Sequence, residues 1–282
     1  VPSPDAVVAR PRVVATDLDN TLLRTDRTVS PRTEAALRAA ADAGVLVVPV
    51  TARQRVGVLA VAPQFVQLAE AFGGWAVCSN GALGLDLVTG QRFFEATMTV
   101  DAQRDLIARL AEAVPDVRFC AIRDGGDGFL VEAGYAELSV WEDHSRDPRT
   151  MQVVDRAALA DCPNLKMVVR HPVLSTRDLL AAFAGLGLTG LRATSSGAPF
   201  LEISAAGIGK AYGLQRLTAL LDVPATQVVA FGDGLNDLDM LQWAGVGVAV
   251  ANAEPELLAV ADRIVPSCDQ DGFAETLEAL LS

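Results

Sequence analysis

Two aspartates, Asp17 and Asp19, stand one residue apart where the apolar run VVAT passes into DLDNT. Taken alone the pair is turn chemistry, because Asp closes turns with its own side chain. Further along, Thr51 ends a second apolar run, VLVVPVT, and Lys210 follows SAAGIG. A third run, QVVAFGD, ends in Asp233, ahead of Gly234, Asn236 and Asp237. Carboxylates brought together repel one another and rise in pKa unless a cation sits among them. The set holds no His or Cys, and oxygen-only donors suit a hard ion that keeps places for waters and a phosphate, which makes Mg2+ the candidate cofactor. The chemistry such a set supports is phosphoryl transfer. One aspartate attacks phosphorus, while the other gives a proton to the leaving oxygen and later takes one from water. Lys210, Thr51 and the metal then stabilise the charge.

For these residues to meet, the runs that carry them must end on one edge of a sheet. In open parallel sheets ligands bind beyond the carboxyl ends of the strands. The continuous β-branched run RVVATD reads as a strand buried on both faces. SPRTEAALRAAADAG follows as a helix with both ends marked: Ser30 as N-cap, Pro31 at the first helical position and Gly44 as the stop. VLVVPVT (45–51) is a second strand, a helical stretch reaches about Glu70, and WAVCSNG (75–81) is a third strand. This alternation predicts a parallel sheet with covering helices.

From about residue 82 the texture changes. LGLDLVTGQRFFEATM reads as two extended runs around a Thr-Gly turn, and DAQRDLIARLAEAV (101–114) has helical spacing. Extended runs VRFCAI, GFLVEAG, LKMVVR, LRATSS and FLEIS follow, with a helix at TRDLLAAFAGL. After about residue 205 the first pattern returns through KAYGLQRLTALL, QVVAFGD, NDLDMLQWAG, VGVAVA, EPELLAVAD and the closing GFAETLEALL. The reading is an α/β core formed by 1–81 and 205–282, interrupted by an α+β domain at 82–204.

The totals agree with a large globular chain. At 282 residues, two domains are expected. A net charge of −12 opposes binding to nucleic acid or an anionic membrane surface, so any phosphate must be met by a local device. No apolar run reaches the roughly 20 residues that span a bilayer, and VPSPDAVVARPR lacks the order of a secretory signal, so a cytoplasmic location is expected. Cys78, Cys120, Cys162 and Cys268 are scattered and read as free structural thiols. No long amphipathic seam stands out, and a monomer is expected.

In that order, with a large insertion after the third strand, DLDNT, Thr51, Lys210 and GDGLND resemble the four motifs of the haloacid dehalogenase superfamily. SNGA, GIGKAYGL, FGDGLNDLDML and GVAVANA are similar to its Cof-like sugar-phosphate phosphatase branch, which carries a type II α/β cap. The resemblance covers the core at both ends of the chain and extends to the insert in length and position. It implies a Rossmann-like parallel-sheet core with an inserted cap that selects substrate. It implies Asp17 as nucleophile and metal ligand, and Asp19 as general acid/base with its backbone carbonyl on Mg2+. Thr51 and Ala52 would bind the phosphate, and Lys210 would neutralise both Asp17 and the phosphoryl group. Asp233 would hold the metal, with Asn236 and Asp237 completing the metal and phosphate shell. Asn20 and Ala52 stand where the family usually has Gly; Asn is the non-Gly residue best suited to a left-handed backbone.

The implied activity is a Mg2+-dependent phosphatase for small phosphorylated metabolites, sugar phosphates foremost, acting through an aspartyl phosphate. A phosphomutase of the same fold, and a phospho-ligand binding protein slowed by Asn20 and Ala52, are the alternatives. A dehalogenase is disfavoured, since that chemistry needs neither Asp19 nor Asp233. GLGLTG (185–190) has the spacing of a dinucleotide loop but follows a helix and precedes an extended run, the reverse of the required context. DLDNT starts like a calcium loop, yet Leu22 and Thr28 stand where that loop needs Gly and Glu. His144, His171, Arg123, Arg170 and Arg192 are read as structural or solvated.

Overall fold

The computed structural model describes residues 10–282, so the leader reading falls largely outside the described residues. These residues form two compact units, 10–94 with 209–282, and 95–208. In chain order the strands are β1 (Val13–Thr16), β2 (Leu46–Pro49), β3 (Trp75–Cys78), β4 (Leu83–Asp86) and β5 (Arg92–Glu95). They continue with β6 (Arg118–Arg123), β7 (Gly128–Val131), β8 (Gln152–Val153), β9 (Lys166–Arg170), β10 (Leu191–Thr194) and β11 (Leu201–Ala205). The last three are β12 (Val228–Gly232), β13 (Val246–Val250) and β14 (Arg263–Val265).

The first unit is built on a five-stranded sheet in the order β14-β13-β12-β1-β2, whose neighbours all pair in parallel. Every residue of β1, β12 and β13 is buried, as expected for β-branched runs covered on both faces. Register decides what this sheet can carry. Thr16 lies opposite Phe231 on one side and Pro49 on the other, so the three chains leave the sheet side by side as Asp17, Asp233 and Thr51. The helix Pro31–Asp42 packs against β2, with Ser30 Oγ accepting the Thr33 N–H at 3.0 Å. Gly44 takes φ +70° just beyond the helix, the left-handed stop that glycine supplies without a Cβ penalty.

Three local expectations shift. The helical stretch to Glu70 breaks into Arg55–Val61, Gln64–Gln67 and Ala69–Phe72; Pro63, which has no N–H to continue the ladder, makes the first break, and Leu68 leaves helical geometry at the second. The third strand stops at Cys78, since Ser79, Asn80 and Gly81 all have positive φ. This strand touches the main sheet through a parallel bridge between Val50 and Val77, and its ladder is with the hairpin β4-β5. That hairpin therefore groups with the first unit, and the two units divide at 94/95 and 208/209. The short edge strand β14 had no sequence signal of its own.

The second unit holds a six-stranded sheet, β10-β11-β9-β6-β7-β8, antiparallel except for the β7-β8 pair. The helices Val100–Ala113 and Thr176–Gly185 bury Leu106, Leu110, Leu179 and Phe183 against Phe119, Met167, Val169 and Ile203 on one face. Alternation along each strand leaves Cys120, Lys166, Arg170 and Glu202 on the opposite face, where Lys166 pairs with Glu202 and Arg170 with Asp143. Arg123 is tied to Asp161 and Asn164, and the His171 ring closes its own turn by accepting from Val173 N–H and Leu174 N–H. None of the four cysteines is in a disulfide. Among the described residues no helix is long and apolar enough to cross a membrane.

His144 is buried between aromatic rings, stacked on Phe200 at 4.8 Å, with its Nε2 2.9 Å from Tyr135 Oη. Burial first, then the charges of Lys166, Arg170 and Arg146, push its pKa down to about 3. A histidine depressed in the folded state leaves stability untouched above its unfolded pKa near 6.5 and removes it as pH falls below that value. This group alone should cost about 2 kcal/mol between pH 7 and pH 5. In urea titrations His144→Gln should lack that acid-dependent component, and an unchanged pH slope would show the ring to be protonated in place.

Candidate active site

Asp17 leaves β1 with its N–H bonded to the Phe231 carbonyl at 2.9 Å, so the parallel ladder itself aims the residue. The next residues turn tightly, and Asn20 takes φ +56° with its carbonyl capped by Asn252 Nδ2 at 2.8 Å. The left-handed position expected to need Gly is thus accommodated by Asn, whose side chain is exposed.

Lys210 opens the helix Lys210–Leu220 and is fully buried. A cation at a helix N-terminus opposes the dipole, so its place needs other charges. Its Nζ donates to Asp17 Oδ1 and to Asp237 Oδ1, each at 2.5 Å. The helix can start this close because Gly81 lies against Gly209: a Cβ on Gly81 would fall 1.8 Å from the Gly209 carbonyl oxygen. Asp237 spends its other oxygen on the N–H groups of Asp233 and Gly234, which shapes the turn after β12. Asp233 Oδ1 accepts from Thr21 Oγ1 at 3.1 Å.

Carboxylate oxygens of Asp17, Asp233 and Asp237 lie within 4.8 Å of one another. Burial raises the Asp17 pKa well above the usual carboxylate range; Lys210 opposes this, and the neighbouring aspartates add to it. Burial, with Asp237 next, raises Asp233 to about 7. For Lys210, burial works downward but the charges of Asp17 and Asp237 outweigh it and hold the ammonium above its ordinary value. One ammonium is therefore too little positive charge for this cluster.

The donor set fits a hard divalent ion. Asp237 has both oxygens engaged, but among the described residues Asp17 Oδ2 and Asp233 Oδ2 accept no hydrogen bond. Those two oxygens are the ones free to ligate, in a place where burial already penalises bare charge.

The Asp19 carboxylate is not one of this group. Arg53 grips it from both sides, Nε to Oδ2 and Nη2 to Oδ1, each at 2.7 Å. Thr51 is fully buried, with Oγ1 accepting the Arg53 N–H at 3.1 Å, which leaves the hydroxyl proton for another acceptor; Ala52 lies between them. Asn236 donates from Nδ2 to Asn80 Oδ1 at 3.1 Å. The structure thus gathers Asp17, Lys210, Asp233 and Asp237 into one contact network. Asp19 and Thr51 are linked through Arg53, and Asn236 faces Asn80. Sequence reasoning missed Arg53, Thr21 and Asn80, although each lies within or beside a quoted motif: Arg53 two residues after Thr51, Thr21 in DLDNT and Asn80 in SNGA.

The sequence profile described as haloacid dehalogenase-like hydrolase matches residues 14–277. Phosphatase YwpJ of Bacillus subtilis (strain 168) is 26% identical over 296 aligned residues, covering 96% of this chain and 100% of the relative. Among solved structures, the subclass IIB sugar phosphatase BT4131 superposes with a TM-score of 0.81 at 18% identity, covering 95% of this chain and 98% of that one. The phosphatase BT1666 from Bacteroides thetaiotaomicron superposes with a TM-score of 0.76 at 23% identity, covering 99% and 98%. At these identities the structural likeness is one of fold.

Proposed function

The chain belongs to the haloacid dehalogenase-like hydrolases, and from that premise we propose that it is a Mg2+-dependent phosphatase of the Cof type acting on small phosphomonoesters, sugar phosphates foremost. The observation that carries this reading is the buried Lys210 ammonium bonded to both Asp17 and Asp237, beside an Asp233 carboxylate with an open oxygen. A carboxylate held against an ammonium at the mouth of a parallel sheet is an anchored nucleophile beside a ready phosphate counter-charge.

Asp17 attacks phosphorus, the bond from phosphorus to the leaving oxygen breaks, and the proton for that oxygen comes from Asp19. Water then attacks the aspartyl phosphate, Asp19 takes its proton, and free phosphate leaves with Asp17 restored. Arg53 fixes the plane of the Asp19 carboxylate. Lys210, Thr51 and the backbone at Ala52 would meet the phosphoryl oxygens, with Asn236 nearby. Asp17, Asp233 and the Asp19 carbonyl would hold Mg2+, which when bound supplies Lewis-acid neutralisation of the transferring group. The second unit is the proposed specificity module.

Purified protein should release phosphate from an aryl phosphate and from a panel of sugar phosphates, with the rate falling at least about 100-fold on addition of EDTA and returning with Mg2+. A rate indifferent to EDTA would remove the metal from the proposal. Recovery of an isomeric sugar phosphate instead of free sugar would identify a mutase.

A further inference from the structure

Among the described residues several buried side-chain atoms of the first unit have no hydrogen-bond partner, and two of them, Ser79 Oγ and Asn80 Nδ2, belong to successive residues beside the candidate site. Asn80 is 4% exposed, and its Nδ2 has no hydrogen-bond partner, while its Oδ1 is held by Asn236 Nδ2 at 3.1 Å. Buried amide groups are nearly always paired, so an exception calls for a physical explanation, and a functional role is one of them. The backbone here is also unusual: Ser79, Asn80 and Gly81 take φ +53°, +53° and +94° in succession. Consecutive left-handed residues, two of them with side chains, persist only where the surroundings enforce them, and such segments gather at ligand sites. The surroundings are those of the site above. The Asn80 N–H donates to the Thr51 carbonyl at 3.0 Å, the Ser79 N–H to the Arg53 carbonyl at 3.0 Å, and Gly81 abuts the Gly209–Lys210 peptide.

We propose that Asn80 is a substrate-binding residue whose Nδ2 donates a hydrogen bond to an oxygen of the phosphoryl group, with Asn236 fixing the orientation of its amide. For the chemistry of its ligand this rests on the phosphatase reading. Holding Oδ1 leaves the amide only its N–H face to offer, so the group selects an acceptor; a tetrahedral oxyanion beside Lys210 and Thr51 supplies one. The strained turn sets the amide between the ends of β2 and β12, which no ordinary strand continuation from Cys78 would do.

The test is inorganic phosphate binding by calorimetry in saturating Mg2+, with the full chain and two variants. Asn80→Gly keeps the left-handed backbone and deletes the amide. Asn80→Asp keeps the shape but puts an acceptor where the donor was. Both should weaken phosphate binding at least about tenfold, Asp more than Gly, and in Asn80→Gly the Mg2+ affinity measured without phosphate should change less than about twofold. Phosphate affinity in Asn80→Gly equal to wild type would overturn the proposal, because Asn80 would then serve only the backbone. Wild-type protein that fails to bind phosphate would overturn it too. Phosphate binding that depends on Asn80 in a protein with no phosphatase turnover would uphold this site and sink the phosphatase reading alone.

Discussion

Asp17→Asn is expected to abolish phosphate release, by about 10⁴-fold or more, because the amide cannot form the acyl phosphate. The fold should survive. Asp17 is buried beside Asp233 and Asp237, and its pKa is raised well above the ordinary carboxylate range, chiefly by burial. An isosteric neutral group removes that penalty, and Lys210 retains Asp237 as its partner. Thermal unfolding of metal-free Asp17→Asn should therefore occur at or above the wild-type temperature while turnover vanishes. A variant that loses rate in step with a falling melting temperature would mean that Asp17 holds the core together and that its chemistry is unproven. Retained turnover would dismiss it as nucleophile outright.

Lys210→Met should do the opposite to stability. The substitution preserves most of the aliphatic stem but leaves Asp17 and Asp237, both buried, facing one another without a counter-charge. Breaking a buried pair from one side costs about 3–5 kcal/mol. Urea unfolding without metal at pH 7 should show that loss. Saturating Mg2+ should recover a large part of it, since a divalent ion replaces the missing charge. The phosphate-release rate should fall by about 10²–10³ even with metal present, because the proposed phosphoryl counter-charge is gone. Equal stability of Lys210→Met and wild type in EDTA would show that the carboxylates protonate at little cost and that the ammonium is not their principal support.

Much of the core was readable in short windows. The β-branched runs at 13–16, 228–232 and 246–250 form strands buried on both faces. Ser30, Pro31 and Gly44 punctuate a helix through their own backbone preferences. Gathering Asp17, Asp233 and Asp237 needed one further step: parallel strands present their carboxyl ends on one edge, so residues that follow such strands converge there. The grip of Arg53 on Asp19 was not readable, nor the support of Asp233 by Thr21, 212 residues away, nor the pairing of Asn236 with Asn80, 156 residues away. Each depends on a turn whose conformation only the surrounding chain enforces.

The hairpin at 83–95 makes the same point. Its pattern of two extended runs about a Thr-Gly turn announced a hairpin, but nothing in that pattern named its neighbour, and it pairs with β3. By itself, then, the sequence determined which segments become strands and helices and which oxygen-bearing residues stand at their ends. Only the tertiary structure decided which side chains meet and that Asn80 Nδ2 stays unpaired. Periodicity, capping and β-branching act within a few residues, whereas a side chain's partner follows from register and turn geometry summed over the whole fold.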